Sequence, residues 1–99
     1  MEREDAYVGL RVVAINKVDG NDSTLDKEGT VVSVDGWNHY ELCVEFDEPI
    51  TFGHDGVRMN GGVPLGEYGR CFYGLFSDFE PVVDDELCVD VKIPIDEII

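Results

Sequence analysis

The chain has 99 residues, 43% of them hydrophobic and 10% aromatic, with 22 Asp and Glu against 7 Lys and Arg and a formal charge of −15. That length allows one domain, and the apolar and aromatic content excludes a disordered acidic tail. The charge argues against direct nucleic-acid binding, which needs a basic stripe, and against anionic membranes; it favours a protein partner with a basic surface.

Residues 1–7 are mostly charged and do not read as a secretory leader, and no apolar run approaches the length of a membrane span. Residues 8–18 read as a strand. Leu10, Val12 and Ala14 alternate with Arg11, Val13 and Ile15, which leads us to expect cover on both faces. Residues 19–28 form a loop with Gly20, Asn21, Asp22 and Ser23. A second strand follows over residues 30–35, and Asp35-Gly36 marks a turn before Trp37. Residues 39–47 show the cleanest period-two pattern. Tyr40, Leu42, Val44 and Phe46 are expected to face the core, and Glu41, Cys43, Glu45 and Asp47 the solvent.

Pro49 ends that strand. Residues 52–69 hold many glycines and read as a long excursion, a length that in a compact domain often carries function. A short strand is expected over residues 70–75, then one helical turn over 77–81 started by Ser77. Residues 86–95 alternate as a last, half-buried strand, with Pro94 suggesting an edge. There is no internal repeat and no convincing helical period. The sum is an all-β fold of five or six short, mostly antiparallel strands. We read one domain over residues 1–99, with a barrel over about 8–82 and an acidic C-terminal strand over about 83–99.

The run Lys27-Glu28-Gly29-Thr30-Val31-Val32, followed by Val44-Glu45-Phe46-Asp47-Glu48-Pro49 and then Gly53-His54-Asp55-Gly56, resembles the central hairpin and loop of SH3-like small barrels. CAP-Gly domains have a similar order of motifs. Small SH3-like proteins of bacteriophages are similar too, with a glycine-histidine loop and a late aromatic strand, here Arg70-Cys71-Phe72-Tyr73. The resemblance spans residues 9–82 and implies an SH3-like barrel with a glycine-rich insertion. The CAP-Gly peptide loop has a lysine and an asparagine before its aspartate, where this chain has only His54. The acidic tails bound by that family would also be repelled by this charge, so the resemblance implies the barrel and not that ligand.

Chemistry-bearing patterns are few. Counting an EF-hand from Asp19 requires glycine at position 24 and glutamate at position 30, and both are threonine, so we expect a solvated turn there. His39 and His54 stand apart and Cys43, Cys71 and Cys88 lack paired spacing, so neither a metal site nor a cofactor is expected. Three thiols without a leader suggest a reducing, cytoplasmic setting with inert cysteines. No nucleophile-and-base constellation appears, and we expect no enzyme.

Two binding surfaces remain. Glu41, Glu45 and Asp47 alternate along one strand at about 7 Å, and Asp84, Asp85 and Glu86 add a second acidic group. Together they would imitate nucleic acid against the basic surface of a nucleic-acid-processing or defence protein, as a phage or mobile-element inhibitor does. This is the leading expectation. The alternative is an adaptor module with a peptide groove of Trp37, His54, Asp55, Tyr68 and Tyr73, where exposed Tyr and Trp offer an apolar body and a polar tip. A structural or assembly subunit is a third reading. Oligomeric state and the identity of the partner are not legible.

Overall fold

A computed structural model describes residues 1–82. The expected strand over 86–95, Cys88 and the acids Asp84, Asp85 and Glu86 lie outside the described residues. The fold is all-β, with strands β1 (Arg11–Ala14), β2 (Glu28–Ser33), β3 (Leu42–Phe46), β4 (Cys71–Gly74) and β5 (Phe79–Pro81). They form one antiparallel sheet in the order β4-β3-β2-β1-β5. The first four strands follow one another as a meander, and the last returns to pair with the first. This builds a small, barrel-like globule. Short 3-10 turns lie at Arg3–Asp5, Asp22–Thr24 and Phe76–Asp78.

The core forms where the inward residues of each strand meet. Val12 and Ala14 from β1, Val31 from β2, Leu42, Val44 and Phe46 from β3 and Phe79 from β5 are all buried. Phe46 and Phe79 pack with their ring centroids 6.2 Å apart. Gly74 is needed at this contact, because a Cβ there would meet Val18 Cγ1 at 2.6 Å. In β2 the register slips between Val31 and Ser33, and the bulge at Val32 turns the strand end.

Three details depart from the expectations above. First, β1 is shorter than residues 8–18, and only its Val12 face is covered. Val13 is half-buried, and Arg11 and Ile15 are exposed. Second, the helical turn spans Phe76–Asp78 rather than starting at Ser77, and Phe79–Pro81 is a strand. Asp78 caps the start of the turn by accepting the Leu75 N–H at 3.1 Å, and Phe79 is drawn inward to Phe46. Third, the loop after Asp19 is no solvated turn. Asn21 and Thr24 are buried. Thr24 Oγ1 accepts the Val18 N–H at 2.9 Å and donates to Asn21 O at 2.7 Å. Asn21 Nδ2 donates to Thr51 O at 2.7 Å, and Ser23 Oγ accepts the Thr51 N–H at 2.9 Å. These polar groups clamp the loop to the start of the excursion, and burial is tolerated because each is paired.

The glycine-rich excursion folds back over the outer face of β3 and β4. Ile50 N–H donates to Gly69 O at 2.9 Å, and His54 and Cys71 exchange backbone hydrogen bonds at 2.9 and 3.0 Å. Cys43, expected to face solvent, is fully buried: its thiol meets Cys71, and Gly66 of the excursion lies against Cys71 Sγ and Glu45 on the same face. Its face is roofed by chain that period-two reasoning does not see. The return is tight: a Cβ on Gly53 would lie 2.0 Å from Gly69 O.

Gly53→Ala should therefore lower the unfolding free energy by about 1–3 kcal/mol, the usual cost of overpacking. Chemical denaturation measures it. Gly61→Ala, which meets nothing within 4 Å but has a φ of +63°, should lose only the smaller cost of the left-handed backbone.

Candidate functional site

Separate stretches of chain converge on one groove. Trp37 and Tyr40 come from the β2–β3 turn, which closes with Trp37 N–H on Tyr40 O at 3.1 Å and Tyr40 N–H on Trp37 O at 3.0 Å. Asn38 takes the left-handed backbone this turn needs, at φ +60°. Tyr73 comes from β4. His54, Asp55, Val57, Arg58 and Tyr68 come from the excursion. All of them line one cavity of about 550 Å³.

The rings are in contact. Trp37 lies 5.3 Å from Tyr73, Tyr40 lies 5.4 Å from Tyr73, and His54 lies 4.3 Å from Tyr73 between centroids. Trp37 and Tyr40 are nearly parallel at 6.4 Å. Tyr68 is 76% exposed. It stands at the margin of the aromatic groove and is not part of the core.

Local hydrogen bonds hold the lining in place. His54 Nδ1 accepts the Gly56 N–H at 3.0 Å, and Asp55 Oδ1 accepts the Val57 N–H at 3.2 Å. Gly56 has a φ of +80° and packs closely on Leu65, so the turn admits no side chain there. Tyr40 donates its hydroxyl to Asp19 Oδ2 at 2.8 Å. That bond raises the Tyr40 pKa above its usual value, and burial raises that of Tyr73. Both phenols are neutral at physiological pH. Burial lowers the His54 pKa, against a smaller opposing effect of Asp55.

All residues of the alternative groove expectation, Trp37, His54, Asp55, Tyr68 and Tyr73, thus line the same cavity. Sequence reasoning missed Tyr40, Val57 and Arg58. Period-two alternation puts Tyr40 on the core face of the third strand, but β3 begins at Leu42, and the turn ahead of it swings Tyr40 out. Asn38 between two aromatics was the available signal. Nothing in the pattern of the excursion singled out Arg58.

In the acidic row Glu41 and Asp47 are exposed, and all three carboxylates accept hydrogen bonds from the protein. Glu41 Oε1 accepts the Phe76 N–H at 2.9 Å. Glu45 is half-buried, and its Oε2 accepts the Glu67 N–H at 2.8 Å. Asp47 takes a two-pronged hydrogen bond from Arg11, with Nη1 on Oδ1 at 2.7 Å and Nη2 on Oδ2. That bond holds the Asp47 pKa below its ordinary value, with burial opposing. These carboxylates hold the barrel together as well as carrying charge.

Cys43 and Cys71 are free and buried. The Cys43 thiol is pushed far up by its hydrogen bond with Cys71 and then by burial, so it is no nucleophile at neutral pH. Among the described residues no three His, Cys, Asp or Glu side chains are grouped to hold a metal, and no helix is long and apolar enough to cross a membrane. Comparison with known proteins gives no match: no family model, no curated protein and no solved structure matches the chain.

His54 sets a pH dependence. Its ordinary value of 6.5 is lowered in the fold, so unfolding takes up a proton between 6.5 and the lower folded value. The stability it contributes is complete above about 6.5 and falls as the pH drops through that window. His54→Asn keeps an acceptor for the Gly56 N–H without titrating. Denaturation midpoints measured from pH 7.5 to 4.5 should fall less steeply below 6.5 in that variant than in the parent.

Proposed function

We propose that the protein is a non-catalytic interaction module of SH3-like type, which captures an extended peptide segment of a protein partner in the aromatic groove. The observation that carries this reading is the convergence of Trp37, Tyr40, Tyr73, His54 and the exposed Tyr68 on one cavity. Aromatic grooves of this kind receive extended or proline-rich segments, whose low conformational entropy reduces the cost of binding. The meander with its returning last strand supports the SH3-like assignment, and the two buried free thiols support a reducing, cytoplasmic setting.

The charge of −15 supports a basic partner. It also supports the second reading, an inhibitor of phage or mobile-element origin that presents DNA-like charge to a nucleic-acid-processing protein. The groove reading is preferred because Glu41, Glu45 and Asp47 each commit oxygens to internal hydrogen bonds. A surface built to imitate phosphates would leave them free for the partner.

Panning the full chain against a library of extended peptides tests the proposal. Selected peptides should change the fluorescence of Trp37, the single tryptophan. Tyr68→Ala should weaken them about tenfold or more, as expected for loss of an exposed aromatic anchor, while thermal unfolding stays where it was. Peptides that bind Tyr68→Ala and Trp37→Ala as tightly as the parent would overturn the reading.

A further inference from the structure

The chemistry of the groove lining specifies what anchors in it. Trp37, Tyr40 and Tyr73 hold their centroids between 5.3 and 6.4 Å apart, and Tyr73 is tilted 42° and 36° to the other two. Aromatic faces carry negative quadrupole density, so clustered rings attract a cation that comes within about 6 Å of a centroid. Among the described residues no cation is seated on these faces. Among the described residues the one seated on a ring is Arg3, 5.5 Å above Phe76.

Two features strengthen the attraction. The Tyr40 hydroxyl donates to Asp19, which pushes electron density into the Tyr40 ring. The charge of −15 raises the local concentration of any cationic segment. One feature opposes it. Arg58 lines the groove, is exposed, and joins no ion pair among the described residues. It stands as a competing positive charge beside the rings.

The degree of substitution on the cation follows from the acceptors. The cavity lining holds one carboxylate, Asp55, which already accepts the Val57 N–H and shares the lining with Arg58. A bare ammonium is strongly hydrated and loses more water than one such carboxylate replaces. Methyl groups on the nitrogen reduce that loss and match the apolar ring faces.

We propose that the groove anchors its peptide through the alkylammonium group of a lysine, and more tightly through N-methylated lysine, with the faces of Trp37, Tyr40 and Tyr73 as acceptors. This rests on the peptide-groove reading above and adds the chemistry of the anchor.

The test uses the full chain, Trp37 fluorescence and four peptides. Three are identical except at one central position, which carries trimethyllysine, lysine, or the uncharged tert-butyl isostere of trimethyllysine. The fourth is a neutral proline-rich peptide. Trimethyllysine should bind about tenfold more tightly than its isostere, with lysine between them. Arg58→Gln should tighten both cationic peptides severalfold and leave the isostere unchanged. Tyr73→Leu, which keeps the apolar bulk and removes a π face, should erase the preference for charge; Tyr40→Leu does the same if Tyr73→Leu does not fold.

Equal affinity for trimethyllysine and its isostere would overturn the inference. So would weaker binding of the cationic peptides to Arg58→Gln, because Arg58 would then assist the cation and not oppose it. If only the proline-rich peptide binds, the cationic anchor fails and the groove reading stands. If none of the four binds and no library peptide does, both fail.

Discussion

The roofing of β3 and β4 by the excursion is the constraint on which the rest depends. A sheet of short strands has two faces, and a chain of this size has one set of core residues to fill them. Here the inner face is closed by Phe46, Phe79 and the valines. The outer face of β3 and β4 is covered where Gly66 lies against Cys71 Sγ and Glu45, while Gly53 against Gly69 and His54 beside Cys71 fasten the excursion along the edge of β4. That fastening sets His54 4.3 Å from Tyr73. Without it the aromatic residues of β4 and of the β2–β3 turn would be a flat patch rather than a groove.

Electrostatics serve the same construction. In a chain of this charge, carboxylates crowd every surface, and self-repulsion favours any fold that gives them donors. Glu41 and Glu45 answer backbone N–H groups on the 3-10 turn before β5 and on the end of the excursion. Asp47 answers Arg11 across the sheet. Exposed pairs of the last kind contribute about 0–1 kcal/mol each. Their larger effect is to fix where the loops land, because a carboxylate that takes a backbone N–H specifies one loop position among many. The acidity therefore has two consequences, a field that favours basic partners and a set of struts that shape the groove.

The groove itself is built from aromatic residues that the core does not need. Phe46, Phe76 and Phe79 are buried, while Trp37, Tyr40 and Tyr73 are half-buried and Tyr68 is exposed. For these residues the chemistry fits, since phenylalanine has no polar atom to satisfy and tyrosine and tryptophan keep theirs toward water; Phe52, 82% exposed outside the groove, departs from it. Neutral phenols and a His54 held neutral by burial leave Arg58 as the one positive side chain in the lining at physiological pH.

Residue pattern by itself determined the fold class and much of the groove. Alternation in Leu42, Val44 and Phe46 and the glycine-rich run are local signals, because strand faces and turns are written in nearest-neighbour preference; the turn expected at Asp35-Gly36 closes instead at Asn38-His39, between Trp37 and Tyr40. The identity of Trp37, Tyr68 and Tyr73 as groove residues was equally legible, since their side-chain chemistry suits a half-wet site wherever it lies. Tertiary structure alone decided the burial of Cys43, the pairing of each acid in the row on β3, the buried clamp around Asn21 and Thr24, and the entry of Tyr40 and Arg58 into the groove. Each depends on where a long loop lands. That is set by contacts between residues far apart in the chain, Gly53 with Gly69 and Asn21 with Thr51 among them, and no periodicity along the sequence encodes such contacts.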